Sequence, residues 1–190
     1  MHALIQLHTR LFAALEEAVA PWLIPTAARL IFAGTLLVYY WNSGLTKLSG
    51  GPFSLELGAY IQILPRQFEA AGYDPSGLGP LAAPIVLFGT WAEFLLPALI
   101  VLGMFTRLAA LGMIGFVAVQ TWVDIVGHGV GGADLGAWFD NDASSLIADQ
   151  RAYWVFLLAV IVLRGAGPVS VDAMLGRQVS ASRTPASQPR

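Results

Sequence analysis

The chain has 190 residues, of which 56% are hydrophobic and 12% are charged, and its net charge is −2. A soluble domain carries about 25% charged residues, so this composition indicates a membrane protein, and the small net charge argues against a nucleic-acid partner. The chain has no cysteine, which excludes disulfides, iron–sulfur clusters and thiol redox chemistry within it.

Residues 1–24 are predicted to form an amphipathic helix that lies on the membrane surface. Glu16 and Glu17 interrupt the apolar run, so a signal peptide is not indicated. Pro21 and Pro25 are expected to end the helix. Its apolar face consists of residues at helical spacing, namely Leu4, Leu7, Leu11, Leu15, Ala18 and Trp22.

Four later segments are predicted to be transmembrane helices, because about 20 apolar residues cross a bilayer as a helix. The short link around Arg107 predicts that the second and third form a tight hairpin. The sequence thus predicts an all-α polytopic membrane protein with a four-transmembrane-helix bundle over residues 25–172. The predicted spans are about 27–45, 83–103, 108–127 and 152–169.

The two long loops and the tail carry further predictions. In residues 50–80, an apolar stripe predicts a short helix, kinked at Pro65, that either forms a lid over the bundle or only packs at the interface. A second short helix is predicted around Trp138. Residues 173–190 are predicted to be a disordered cytoplasmic tail. The stripe comprises Phe53, Leu57, Tyr60, Ile61, Leu64 and Phe68.

The distribution of basic residues predicts the orientation, because cytoplasmic loops are enriched in Lys and Arg. We expect a multi-pass protein of the bacterial inner (plasma) membrane, with both termini in the cytoplasm and both long loops outside. The residues expected on the cytoplasmic side are Arg10, Arg29, Arg107, Arg164, Arg177, Arg183 and Arg190.

Glu93 is the principal candidate for chemistry. It follows Ala83 by ten residues, so it lies about 15 Å deep at 1.5 Å per residue. An ionisable group at this depth costs several kcal/mol and is a functional candidate. It would stay protonated unless a cation or hydrogen-bond donors held its charge, which suits proton exchange with a redox molecule dissolved in the membrane. The alternative is a structural Glu, hydrogen-bonded between helices.

A ligand-binding pocket that opens outward is predicted around this carboxylate. Gln120, Asp124 and His128 follow one another at intervals of four residues, so they share one helix face. Other spans are expected to supply further polar groups and aromatic walls. No metal site is predicted, since the loop acids do not match a calcium-binding loop and His128 stands alone at the bundle mouth. The residues from the other spans are Asn42, Lys47, Trp91 and Trp154.

Several of these residues form a pattern that resembles the DoxX family over residues 27–170. The resemblance implies four transmembrane helices and a link to sulfur or oxidative-stress redox systems. The family takes its name from a relative of DoxD, a subunit of a membrane thiosulfate:quinone oxidoreductase. The matching positions are Arg29-Leu30, Gly34, Lys47, Glu93, Leu102-Gly103, Thr106-Arg107 and Ala109-Ala110-Leu111.

Two functions are consistent with these features. In the first, the chain is a quinone-linked redox subunit, and the quinone ring lies near Glu93, Gln120 and Trp91. Its electrons would come from a redox partner protein, because the chain contains no cofactor motif or self-sufficient catalytic set. In the second, it is a non-enzymatic scaffold or small-molecule carrier for an extracytoplasmic partner. A transporter would require a homodimer, because four short spans are few.

Overall fold

The computed structural model describes residues 1–182, with side chains through Arg177. Over this range the chain is helical, and its long helices are joined by loops that carry shorter ones. In chain order, the helices are α1 (His2–Leu45), α2 (Leu57–Ile63), α3 (Pro65–Ala70), α4 (Ala82–Leu102), α5 (Thr106–Gly127), α6 (Gly132–Leu135), α7 (Ala148–Arg164) and α8 (Val171–Ser182).

Four long helices close a ring: α1 and α5 each pack against both α4 and α7. The centre of the ring is fully apolar, with Phe32, Met113 and Leu158 completely buried. The outward faces are apolar as well, which suits contact with lipid rather than water. Exposed residues on these faces include Leu30, Val38, Phe88, Leu95, Leu108, Leu111, Phe156 and Leu163.

Three helices, α1, α4 and α5, are long and apolar enough to cross a membrane. The fourth predicted span, 152–169, corresponds to α7, which begins earlier at Ala148, ends at Arg164 and has 17 residues. This helix completes the ring, but it is about one turn shorter than α4 and α5. That the chain crosses the membrane four times therefore stays a prediction.

The prediction that Pro21 and Pro25 end an N-terminal helix is wrong, because α1 continues through both prolines into the bundle. Each proline removes one N–H donor from the helix. Pro25 is buried, and its ring packs where a side chain on Gly167 would otherwise lie. This contact holds the helix together at the second proline. Residues 1–18 are exposed along their whole length, so they form the free end of α1 rather than a separate element.

Two π-helical turns interrupt the long helices, at Ala33–Leu37 in α1 and at Val123–Gly127 in α5. A π turn fits an extra residue into one turn and rotates the following side chains. The first precedes Tyr39 and Tyr40, and the second contains Asp124. Both therefore affect where polar side chains meet the interior of the bundle.

The first long loop folds as two short helices, α2 and α3, that are separated at Leu64. Pro65 is the first residue of α3, a position where its missing N–H costs nothing, so it starts a new helix instead of kinking one. Tyr60 and Phe68 are buried and pack with Val86 of α4. We call α2 and α3 the lid. The short helix predicted around Trp138 does not include that residue: α6 ends before it, at Leu135.

The predicted disordered tail is corrected in part, because Val171–Ser182 forms α8, whereas residues 183–190 lie outside the described range. Asp172 secures the start of α8. Its carboxylate accepts hydrogen bonds from the backbone N of Phe105 at 2.8 Å and of Thr106 at 3.0 Å. These are free donors at the start of α5, which the carboxylate caps.

Arg29 ties together the same end of the bundle. Its Nε donates to the Ile100 carbonyl at 3.0 Å and its Nη1 to the Ala166 carbonyl at 2.8 Å. The guanidinium thus satisfies carbonyls at the end of α4 and after α7. Arg29 is 9% exposed, so it acts as a buried clamp between helix ends.

We predict that replacing Asp172 with Asn destabilises the fold by about 1–2 kcal/mol at neutral pH, because both carboxylate oxygens accept hydrogen bonds and the amide has only one accepting oxygen, so a backbone N–H loses its partner. Partial burial alone would raise the pKa of the Asp172 carboxyl, but the hydrogen bonds from Thr106 and Phe105 and the nearby Arg29 hold this pKa below its ordinary value. The stabilisation is therefore complete above the unfolded pKa of about 4 and is lost as pH falls through the folded pKa.

Thermal unfolding in detergent, measured from pH 7 down to pH 3, tests this prediction. The difference between wild type and Asp172→Asn should shrink below about pH 4. The control is Glu69→Gln, which changes an exposed carboxylate of the lid. Its unfolding temperature should stay close to that of wild type at every pH. A wild-type advantage over Asp172→Asn that did not change with pH would contradict the capping role.

Candidate functional site

A buried ion pair joins α1 to α4. The Lys47 Nζ lies 3.0 Å from the Glu93 Oε2, and the two side chains are 3% and 8% exposed. The same ammonium donates to the Ser43 carbonyl at 3.1 Å and to its Oγ at 2.8 Å. All three ammonium hydrogens therefore have an acceptor. The structure thus supplies Glu93 with the cation that the sequence analysis required for an ionised carboxylate.

The backbone around Lys47 explains how this pair forms. After α1 ends at Leu45, Leu48 and Leu55 form an isolated bridge, and the Glu56 N–H donates to the Lys47 carbonyl at 3.0 Å. This hairpin-like turn fixes the Lys47 backbone, so its side chain folds back toward Ser43, one helical turn earlier.

A close helix contact brings the two partners together. A Cβ atom at Gly44 would lie only 2.6 Å from the Phe94 ring. The glycine therefore allows α1 to approach α4 beside Glu93.

The ion pair lines a cavity of about 500 Å³ between α1, α4, α5 and the lid. This volume lies within the range of about 300–1,000 Å³ that is typical of ligand pockets. The polar groups lie toward the lid, and the remaining wall is apolar or small. Its apolar and small residues include Ile85, Gly89, Ala92, Leu96, Gly112, Gly115, Phe116, Val119 and Val123.

Five of the predicted site residues line this one cavity: Glu93, Lys47, Gln120, Asp124 and His128. The spacing argument was sufficient for α5 because residues four apart share a helix face. The structure adds that Lys47 and Glu93 share this cavity with them, although they lie on different helices.

Three other predicted site residues, Trp91, Asn42 and Trp154, do not line this cavity. Trp91 lies two residues before Glu93 on α4, so it points to another face, where its Nε1 donates to the Pro52 carbonyl at 3.0 Å. Asn42 is exposed outside the cavity. Trp154 lies on α7 and packs against Tyr39 of α1, with ring centroids 5.4 Å apart.

The structure also adds residues that the sequence analysis did not identify. The Tyr40 hydroxyl donates to the Gln120 Oε1 at 3.2 Å, and the Gln120 Nε2 donates to the Tyr39 hydroxyl at 3.2 Å. The amide of Gln120 is therefore held in one orientation. The only sequence signal was the adjacent Tyr39 and Tyr40 near the end of the first predicted span, where tyrosines are also common simply because they favour the membrane–water interface.

Asp124 is held from α7. Its carboxylate accepts a hydrogen bond from the Arg151 Nη2, and the Arg151 Nη1 donates to the Thr121 Oγ1 at 2.8 Å. Arg151 is 8% exposed. No sequence motif linked this arginine to Asp124, because the two residues approach each other only when α5 packs on α7.

The lid is seated on the end of α5. The His128 Nε2 lies 3.2 Å from the Gln62 carbonyl oxygen, which accepts a hydrogen bond from it. Pro65 packs on Gly127, where a Cβ atom would lie 2.7 Å from the proline ring. Among the described residues, no three or more His, Asp or Glu side chains cluster as a metal ion would require. The site is therefore a cavity with an ion pair, covered by a lid.

We predict that breaking the ion pair destabilises the protein more than removing it entirely. Lys47→Met leaves a buried carboxylate without its cation, and Glu93→Gln leaves a buried ammonium without its anion. Each should cost about 3–5 kcal/mol. The double variant should lose less than the sum of the two, because neither charge is then left alone. Unfolding in detergent measures all four proteins, and additive losses would contradict a direct pair.

The sequence comparisons agree with this architecture. A protein-family profile described as DoxX matches residues 24–126. No curated protein and no solved structure matches the chain. The matched region extends from the middle of α1 to the end of α5, and it contains every cavity residue named above except His128. With this match over more than half of the sequence, and with three helices able to span a bilayer, the chain is a multi-pass membrane protein that belongs to the DoxX family.

Proposed function

We propose that this protein is the quinone-binding, redox-linked subunit of a membrane complex, and that the cavity holds the quinone head group. The observation that carries the proposal is the buried Lys47–Glu93 pair in the wall of a largely apolar cavity. A quinone is a flat apolar ring with two carbonyl acceptors. Such a ring suits a site with an apolar body and a few fixed polar groups.

The proposed chemistry is proton transfer coupled to quinone reduction. Reduction of a quinone to a quinol consumes two electrons and two protons. The Lys47 ammonium would exchange its hydrogen bond to the Ser43 carbonyl for one to a quinone carbonyl oxygen, and the pair that it forms with Glu93 would pass one proton to that oxygen. Asp124 and His128, nearer the lid, would replace that proton and would supply the second proton to the other carbonyl oxygen. We assign the two electrons to a redox partner protein, because the sequence contains no cofactor motif that could carry them.

We further propose that all four long helices cross the bacterial inner membrane, with both termini in the cytoplasm. At 1.5 Å per residue, α7 spans about 26 Å, slightly less than the hydrocarbon core. Arg164, which is exposed at the end of α7, can extend toward the headgroups and offset part of the difference. In this orientation, the lid and the polar end of the cavity face outward.

The test is quinone binding by the purified protein, measured by titration with a ubiquinone analogue and by extraction of copurified quinone. Wild type should bind, and Glu93→Gln and Lys47→Met should weaken binding at least about tenfold, the effect of losing roughly 1.4 kcal/mol of polar interaction. Trp91→Phe changes an aromatic residue outside the cavity, so it should bind like wild type. Wild-type protein that neither binds nor retains quinone would overturn the proposal.

A scaffold is the second candidate function, and the free end of α1 favours it. Residues 1–18 are exposed, and Leu4, Leu11 and Leu15 on this segment are each more than half exposed. Apolar residues in this arrangement commonly contact a partner or a membrane. If deletion of residues 2–18 removed cellular function and partner copurification while Glu93→Gln left both intact, the scaffold would be favoured over the quinone site.

A further inference from the structure

We propose that the cavity is filled sideways from the bilayer, through a slot between α4 and α5, and that its ligand is an amphiphile. Its polar head would lie at the Lys47–Glu93 pair, and its apolar tail would leave through the slot. This inference rests on the proposed function and deepens it, because it adds the route of entry and the need for a tail.

The slot is formed by small residues on two facing helices. Gly89 and Ala92 of α4, and Gly112 and Gly115 of α5, all line the cavity. A Cβ atom added to Gly115 would meet no atom within 4 Å. The gap is therefore at Gly115, because the Leu96 side chain lies 3.2 Å from a Cβ atom added to Gly112, and the Ile63 side chain of the lid lies 3.3 Å from one added to Gly89.

The slot opens at the depth of the hydrocarbon. Gly112 and Gly115 line the cavity and are exposed, and at helical spacing they follow Leu108 and Leu111, which are exposed on the outward face of α5. Gly115 lies near the middle of the 22-residue α5. Val119, one turn further, is 62% exposed and also lines the cavity. An opening so far from either helix end faces lipid chains, so it admits molecules that are dissolved in the bilayer.

The alternative route, from water at the outer end, is covered by the lid. Gln62 and Ile63 of the lid form part of the cavity wall. The lid is seated by the contact of Pro65 with Gly127 and by the hydrogen bond of His128 to Gln62. Entry from this side therefore requires the lid to move, which favours entry from the lipid side.

The chemistry of the walls defines the ligand class. The inner end holds the Lys47 ammonium beside a carboxylate, and a head group with a hydrogen-bond acceptor can take the place of the Ser43 carbonyl as one of its partners. The slot offers only small or apolar surfaces, so the emerging part must be a narrow apolar chain. A quinone with an isoprenoid tail and a phospholipid acyl chain both have this shape, and the experiment separates them.

The test narrows the slot without touching the ion pair. Gly115→Leu places a side chain where no atom lies within 4 Å, so the fold should tolerate it. Gly34→Leu is the matched control, because Gly34 is exposed on α1, lies outside the cavity, and also has no atom within 4 Å of an added Cβ. Both changes replace a glycine within a long helix with leucine. Because Gly34 lies in the π-helical turn of α1, thermal unfolding of both variants is measured beside binding, which separates a loss of stability from a loss of the ligand.

Two probes report separately on the head and the tail: 2,3-dimethoxy-5-methyl-1,4-benzoquinone, which has no tail, and the same ring with a decyl tail. Gly115→Leu should weaken binding of the tailed probe about tenfold, as expected when a few methylene groups lose apolar contact. The affinity of Gly115→Leu for the tail-less probe should stay within about twofold of wild type. Gly34→Leu should bind both probes as wild type does. Equal binding of the tailed probe by wild type and Gly115→Leu would overturn the slot.

If wild type binds neither probe, the quinone proposal fails and the slot is judged by lipid retention alone. Mass spectrometry of protein purified from nanodiscs of phosphatidylglycerol and phosphatidylethanolamine would then count the retained lipids. Fewer retained lipids in Gly115→Leu than in Gly34→Leu would support a slot that holds acyl chains. Equal retention would overturn the slot as well.

Discussion

The ion pair between Lys47 and Glu93 is the constraint on which the arrangement of the outer half of the bundle depends. Two charges buried among apolar helices are tolerated only when they are paired and their remaining hydrogen-bonding groups are satisfied. The turn after α1, the Ser43 acceptors and the close contact at Gly44 all serve that requirement. Because apolar residues in the same places would often be equally stable, such a pair is better explained by a role in binding or proton transfer than by stability.

The two ends of the bundle use their charged side chains differently. At one end, Arg29 and Asp172 use their charges to satisfy free carbonyls and N–H groups at helix ends, so their role is structural. At the other end, the charged and polar side chains line a cavity that a lid covers. The Arg29 end is thus held by contacts between helix ends, and the proposed ligand site and slot lie toward the lid end.

The contribution of α7 is indirect but specific. The region that matches the DoxX family ends before this helix, yet Arg151 of α7 holds Asp124 and Thr121 of α5. It thereby orients one of the acids in the cavity wall without lining that cavity itself. The family region thus contains nearly all of the candidate site, and the last long helix completes the ring and positions one member of that site.

The sequence by itself determined the membrane class, the approximate positions of the long helices, the place of Glu93 midway along one of them and the common face of Gln120, Asp124 and His128. These follow from composition and helical periodicity, which are local properties of the chain. Only the tertiary structure decided that α1 continues through Pro21 and Pro25, that Trp91 and Trp154 face away from the cavity, and that residues 171–182 form a helix. It also paired Glu93 with Lys47, 46 positions away. Each of these outcomes depends on contacts between distant segments, such as Pro25 with Gly167 or Asp172 with Thr106, and periodicity carries no information about such contacts.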